Sequence, residues 1–154
     1  MKRVIILLFL YVLGLYAFAQ DSFFEKYEGT KNVSVAFISN NMLKAMDNKK
    51  GTNMSKDIFN LRIMEVKDSK LVPKIKDDAL NTFIPQKGFI DVARISEDGE
   101  TTIIRHKKII PKIQKKNTPP VETFVLISYT ETTLDILSVS GNDLDLSDIQ
   151  KIRK

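Results

Sequence analysis

The sequence predicts an α+β fold in which local helical units come first and a four-stranded antiparallel meander follows. Three observations lead to this prediction: an amphipathic helix in the middle of the chain and two hairpins after it. The second hairpin consists of two β-branched runs, Thr123–Tyr129 and Leu134–Ser140, on either side of a polar turn. The first joins Gly88–Ile95 to Thr101–Ile110 through Asp98-Gly99, a dipeptide that favours the positive φ angles of a tight turn.

The amphipathic helix is predicted from about Lys70 to Ile84, with Asp68 or Ser69 as its N-cap. Its apolar residues recur at helical spacing and should cover one face of the sheet. These residues are Leu71, Ile75, Ala79, Leu80 and Phe83.

The remaining elements complete the order α-β-α-β-α-β-β-β-β-α. Gly141-Asn142 is expected to end the last strand, and Ser147 with Gln150 forms a capping box that should open a final helix. Before the amphipathic helix, the patterns predict a helix from Ser22 to Tyr27, a strand at Val33–Ile38, a helix at Asn41–Met46 and a strand at Ile58–Val66.

The first 19 residues have the pattern of a secretory signal peptide. Lys2-Arg3 precede an apolar run from Val4 to Tyr16, and Ala17-Phe18-Ala19 fits a cleavage site. The run is shorter than the roughly 20 residues of a membrane span, although an uncleaved anchor is the alternative. We therefore expect an exported protein, periplasmic or secreted, with residues 20–154 as a single α+β domain and no transmembrane span after cleavage.

Composition narrows the function classes. The chain has no cysteine, which excludes disulfides, thiolate metal sites, a cysteine nucleophile and a lipid anchor of the lipoprotein type. Its net charge is +5, and removal of Lys2 and Arg3 would leave 22 basic against 19 acidic side chains. A charge this mild gives no argument for a polyanionic partner. Nucleic acid is not expected, because export removes it and no aromatic residues interleave the charges.

His106, the single histidine, is the first candidate for chemistry. A two-residue turn at Asp98-Gly99 would place Arg94 opposite Ile103, Val92 opposite Arg105 and Asp91 opposite His106. A carboxylate that orients an imidazole is half of an acid–base pair. The alternative interpretation is a structural cross-strand pair, which we favour because no nucleophile or metal ligand accompanies it.

Two other patterns are weaker. Asp143, Asp145 and Ser147 match the first ligand positions of a calcium loop, but Asp148 and Lys154 occupy positions that need glycine and glutamate. We interpret these acids as favourable charge at the start of the last helix. The basic run from Arg105 to Lys116 could bind a polyanion, and we favour a solvated loop and edge-strand lysines. No catalytic, cofactor-binding or metal-binding residues are predicted.

Several segments resemble one known family. They are Phe23–Gly29, Val33–Met46, Leu61–Val66, the hairpin around Asp98-Gly99 and, most specifically, the segment from Phe124 to Ile152 that contains the two C-terminal strands. Together they are similar to domain-of-unknown-function family 4252, small exported proteins mostly of Bacteroidota. The resemblance implies export and a compact α+β domain. It implies no activity, cofactor or catalytic residue.

Two classes of function remain. The first is a non-catalytic exported interaction or binding module of the periplasm or cell envelope, whose partner is an unknown protein or envelope component. The second is a small exported hydrolase or isomerase with a site assembled around His106 and Asp91. A concave pocket around these two residues would favour the enzyme, and an exposed apolar patch would favour the binding module. We favour the binding module.

Overall fold

The computed structural model describes residues 19–51, 53, 56–110, 119–147 and 149. One antiparallel sheet dominates this part of the chain. Its strands are β1 (Val33–Ser39), β2 (Ile58–Val66), β3 (Ile90–Glu97), β4 (Glu100–Ile109), β5 (Val121–Tyr129) and β6 (Leu134–Asn142). They lie side by side in the order β1-β2-β6-β5-β4-β3.

The predicted architecture is wrong. The four strands of the C-terminal half do pair in sequence order, but they belong to a six-stranded sheet, because β2 pairs with β6 and β1 pairs with β2. β2 adds to the free edge of β6, and β1 adds to β2. This contact joins distant segments of the chain, and the pattern of residues within each strand does not predict it. The helices also lie on both faces of the sheet, not on one.

In the described ranges, three helices accompany the sheet: α1 (Ala19–Tyr27), α2 (Asn40–Lys50) and α3 (Val72–Thr82). The predicted starts of two helices are wrong. Ser22 lies inside α1, and α3 begins after Leu71, which makes no side-chain cap. Asp68 accepts a hydrogen bond from the backbone N–H of Lys70 instead, at 3.0 Å, and so shapes the turn before the helix.

The front face of the sheet is covered by α1 and α3. Ile75, Ala79 and Phe83 are fully buried there, which confirms the predicted apolar stripe, and Leu71 and Leu80 pack at its margin. Strand residues on this face are Met64, Val66, Val125, Ile127, Leu134 and Ile136. This cluster is the larger of the two cores.

A charged contact joins α1 to α3 across this core. Asp78 accepts hydrogen bonds from Lys26 Nζ and Tyr27 Oη, each at 2.7 Å. Burial acts to raise the pKa of Asp78, but the two hydrogen bonds outweigh it and hold that pKa below its ordinary value. The stability that the ionised Asp78 contributes is fully present at pH values above the pKa of this carboxyl in the unfolded chain. It is lost as the pH falls through the lower pKa of Asp78 in the folded protein.

Within the described residues, the back face is covered over only part of its length. Leu43 of α2 and the C-terminal residues Leu144 and Ile149 pack on Ile58, Leu61, Phe124, Leu126 and Val139. All of this cover lies towards the end of the sheet where β1 runs into α2. The other end carries the β3–β4 and β5–β6 turns, and we call it the hairpin end.

Gly141 allows the early strands to join the sheet. It lies inside β6, paired with Ile58, and the strand ends at Asn142, two residues beyond the predicted Ser140. A Cβ at this position would collide with the backbone carbonyl oxygen of Asp57. The same oxygen accepts a hydrogen bond from the N–H of Asn142 at 2.9 Å. Only glycine permits this close approach.

We predict that Ile75→Ala lowers the free energy of unfolding by about 2–5 kcal/mol, because the side chain is completely buried between α3 and the front face. Chemical denaturation of the purified protein measures this value. Lys74→Ala, at an exposed position in the same turn, is the control and should change it by less than about 0.5 kcal/mol. A loss below about 0.5 kcal/mol for Ile75→Ala would contradict the packing of α3 on the sheet.

Candidate functional site

The β3–β4 hairpin confirms part of the predicted register and overturns the rest. Asp98 and Gly99 both have positive φ, 49° and 80°, and Arg94 lies opposite Ile103 as predicted. A β-bulge between Asp91 and Ala93 then shifts the pairing by one residue. Asp91 consequently faces Arg105, and the predicted pairs Val92–Arg105 and Asp91–His106 are both wrong.

Arg105 is a structural residue. Its Nε donates to Asp91 Oδ1 at 2.7 Å, and its Nη1 donates to the backbone carbonyls of Leu80 and Phe83 at 2.8 and 2.6 Å. These carbonyls belong to the C-terminal end of α3, where backbone acceptors lack helical partners. The guanidinium therefore ties α3 to the β3–β4 hairpin on the front face.

His106 points to the opposite face from Asp91 and Arg105. Its ring stacks on Phe124, with centroids 4.4 Å apart and an interplanar angle of 26°. Its buried Nε2 has no hydrogen-bond partner within the described ranges, and the nearest carboxylate oxygen, Glu122 Oε1, is 3.9 Å away. That distance is too long for a hydrogen bond. The structure therefore does not assemble the acid–base pair of Asp91 and His106.

The basic run that begins at Arg105 is not a continuous cationic surface where the structure describes it. Lys107 lies over the ring of Phe89, and burial, together with the nearby Lys87, lowers the pKa of Lys107. Lys108 Nζ lies 3.4 Å from Glu122 Oε1. Residues 111–118, which hold the other lysines of this run, lie outside the described part of the chain.

The calcium-like acids do not form a ligand cluster. Ser147 Oγ donates to Asp145 Oδ1 at 2.6 Å, a local contact within the turn. No group of three or more potential metal-ligating side chains occurs among the residues described. The predicted capping box includes Gln150, which lies outside the described residues. Residues 1–18 of the predicted signal peptide, which runs to Ala19, also lie outside them.

The hairpin end of the back face, which no described helix covers, contains a concave surface. Cross-strand pairing aligns one row of apolar side chains over the whole width of the sheet. This inner row consists of Ala36, Ile63, Leu137, Leu126, Ile104 and Ala93. One side of the row contacts the back-face core through Ile63, Ile104 and Leu137, and all three remain partly exposed.

A second row lies one step closer to the turns and is polar except at its β3 end. This outer row consists of Ser34, Glu65, Asp135, Ser128, Thr102 and Ile95. In its middle, the hydroxyls of Thr102 and Ser128 hydrogen-bond to each other at 2.7 Å, and both are buried. Next to them, Glu65 of β2 lies directly opposite Asp135 of β6.

A second pair of acids lies beyond the other end of this row. Glu97 of β3 and Glu100 of β4 face each other directly on either side of the turn, with Asp98 between them in sequence. The two acid pairs therefore lie at opposite ends of the same surface.

We call this surface the acid-lined groove. One half has a volume of about 310 Å³ and is lined by Ile63, Glu65, Leu126, Ser128, Asp135 and Leu137. The other half, of about 230 Å³, is lined by Ile95, Glu97, Asp98, Glu100 and Thr102. The Thr102–Ser128 hydrogen bond lies where the halves meet. No basic side chain is among these lining residues, although bases outnumber acids in the whole chain.

Lys67 lies beside the groove. Its Nζ lies 3.0 Å from Glu65 Oε2, and this hydrogen bond, with a smaller attraction from Asp135, raises the pKa of Lys67. The Lys67 side chain is 74% exposed and that of Glu65 is 46% exposed. Water competes strongly for such a pair, so it contributes little to the stability of the fold.

Sequence reasoning missed the groove because its acids come from four strands. Only the pairing of β2 with β6 brings Glu65 opposite Asp135. A local signal did exist in the hairpin, since a two-residue turn at Asp98-Gly99 places Glu97 opposite Glu100. The sequence alone does not show that this end of the back face is uncovered.

Comparisons with known proteins find no matching family model and no matching curated protein. The resemblance to family 4252 therefore stays a prediction. Within the described residues, none of the helices has the length and apolar character needed to cross a membrane.

We predict that His106→Phe leaves the free energy of unfolding unchanged or raises it by about 1 kcal/mol, because it keeps the stacked ring and removes a buried nitrogen without a partner. Thermal and chemical denaturation measure the change. His106→Ala is the matched control and should destabilise, since it removes the stacked ring. A loss above about 2 kcal/mol for His106→Phe would show that the imidazole nitrogens make contacts the fold requires.

Proposed function

We propose that this protein is a non-catalytic exported interaction module that binds its partner in the acid-lined groove. The observation that supports this function is the uncovered apolar inner row at the hairpin end of the back face. Ile63, Leu137 and Ile104 are partly exposed there, whereas Leu61 and Val139, two residues further along β2 and β6 on the same face, are buried. An exposed apolar surface with a polar margin is typical of a binding site.

Export rests on the N-terminal pattern: a basic start, a short apolar run and Ala17-Phe18-Ala19. The partner is then a protein or another component of the cell envelope. The resemblance to family 4252 supports the same compartment. N-terminal sequencing of the exported species should begin at Gln20.

The enzyme alternative gains no support from the geometry. Asp91 is bound to Arg105 on the front face, and His106 is stacked on Phe124 on the back face. No second candidate function is proposed.

Position-specific photocrosslinking in the producing cells tests the proposal. A photoreactive amino acid replaces Leu137 or Ile95 in the groove, and in matched controls it replaces Phe37 or Met42, which are large exposed apolar residues outside the groove. We expect discrete crosslinked species from the groove positions and none of the same size from the controls. Equal crosslinking from all four positions, or none from the groove, would contradict a binding role for this surface.

A further inference from the structure

We propose that β1 pairs with β1 of a second copy of this chain, as antiparallel strands centred on Ala36. The interface lies at the edge of the sheet, apart from the residues that line the acid-lined groove. It joins two six-stranded sheets into one continuous sheet. Three observations support this dimer: the outward backbone groups of β1, a strand sequence without the features that protect an edge, and a residue pattern that fits its own copy.

The outer side of β1 presents backbone groups to a further strand. β1 has β2 as its neighbour on one side, and no strand of the described ranges lies on the other. Just before β1, the carbonyl oxygen of Asn32 accepts a hydrogen bond from the N–H of Lys67 at 3.1 Å, so the backbone groups of Asn32 point to the β2 side. These directions alternate along an antiparallel strand. The backbone groups of Val35 and Phe37 therefore point outwards, where another strand can bind them.

β1 lacks the features that prevent unwanted strand pairing. Its seven residues, Val33–Ser39, include no charged residue, proline or glycine. It pairs with β2 at every position without a bulge. The opposite edge strand, β3, contains a bulge and three charged residues, Asp91, Arg94 and Glu97. Natural proteins protect exposed edge strands by such means. Because only one of the two edges is protected, we infer that another strand covers β1.

The pattern of β1 favours its own copy as that strand. A two-fold axis perpendicular to the sheet keeps each face on its own side, so one residue must meet its own copy at the axis. Ala36 is the midpoint of β1, and a pair centred there uses all seven residues. An uncharged strand has no side chain that selects a partner of opposite charge, and it can lie beside its own copy without repulsion.

The side chains also fit this register. Phe37 is 53% exposed, and the Arg62 guanidinium lies 5.1 Å from the centre of its ring. In the dimer, Phe37 lies between Arg62 of its own copy and Val35 of the second copy, on the front face. On the back face, the exposed Ala36 meets Ala36. Because the backbone groups of Ala36 point to β2, this is a non-hydrogen-bonded pair, whose Cα atoms approach to about 4.5 Å and whose side chains must be compatible.

The dimer makes the binding module bivalent. The two-fold axis keeps the back faces of both copies on the same side, and the two inner rows meet at Ala36. Two acid-lined grooves then face the same side of one sheet. Linked sites raise the effective affinity for a partner that presents its binding segment twice. This consequence depends on the proposed function, whereas the dimer itself does not.

Cysteine crosslinking tests the register, since the chain has no cysteine of its own. Ala36→Cys places each thiol opposite its own copy, at a Cα separation that a disulfide can bridge. Ser34→Cys is the matched control, at an exposed position on the same face of β1. In this register its two thiols are about 14 Å apart along the strands, beyond the reach of a disulfide. After oxidation of the mature protein, we expect most Ala36→Cys to migrate as a covalent dimer and most Ser34→Cys as a monomer.

Charge at the same position tests the dimer without a covalent bond. Ala36→Lys and Ala36→Glu each place like charges opposite each other at the axis. Each variant should be a monomer in sedimentation velocity at a concentration where the unmodified protein is a dimer. An equal mixture of the two variants should restore the dimer, because opposite charges then meet. Position 36 is exposed in the single chain, so both variants should fold, which circular dichroism checks.

Several results would contradict the dimer. One is an unmodified protein that sediments as a monomer at its highest soluble concentration. Another is equal disulfide formation by Ala36→Cys and Ser34→Cys, and a third is a mixture of the Ala36→Lys and Ala36→Glu variants that stays monomeric. In the cell, the photocrosslinking position Phe37 should give a species of twice the mass of the chain. A Phe37 crosslink to a different protein would replace the second copy with a strand of that protein.

The dimer and the proposed function fail separately. Groove-specific crosslinks from a protein that is always a monomer would overturn the dimer and keep the binding module. A dimer linked through position 36, without any groove-specific crosslink, would keep the dimer and overturn the role of the groove.

Discussion

The fold depends on the burial of β5 on both of its faces. β5 has a nearly continuous run of buried residues, with Val125 and Ile127 against the front face core and Phe124 and Leu126 against the back face core. A strand of this kind needs a neighbour on each side and a covering layer on each face. β4 and β6 supply the neighbours, while the helices supply two covering layers that are displaced from each other along the strands.

This displacement leaves one part of the sheet without cover. α1 and α3 protect the front face at the hairpin end, and α2 with the C-terminal residues Leu144 and Ile149 protects the back face at the other end. Among the described residues, the hairpin end of the back face is therefore where partly exposed apolar side chains coexist with a stable core. On the front face, the Arg105 contacts hold α3 against the β3–β4 hairpin.

The parts of the fold that could be predicted from sequence are those with local causes. Asp98-Gly99 predicts its turn because both residues adopt positive φ, and the four-residue repeat through Ile75 and Ala79 predicts a helix with one buried face. The six-stranded sheet could not be predicted, because the pairing of β2 with β6 depends on contacts between distant segments and on the absence of a Cβ at Gly141. The bulge near Val92 could not be predicted either, because nothing in the pattern of that strand indicates an extra residue. The bulge places Asp91 opposite Arg105 and not opposite His106. The acid-lined groove combines both difficulties, for its carboxylates meet only after the sheet has formed.

A binding role for this surface requires that the inner row is exposed to solvent in the free protein. Methyl NMR of the mature protein with a soluble gadolinium chelate measures this exposure as paramagnetic line broadening. We expect strong broadening for the methyls of Ile63 and Leu137, and little for those of Leu61 and Val139. Leu61 and Val139 are the next residues along the same strands on the same face, and both are buried. Equal protection of all four residues would show that another part of the chain covers the groove, and would contradict a binding surface at this end of the sheet.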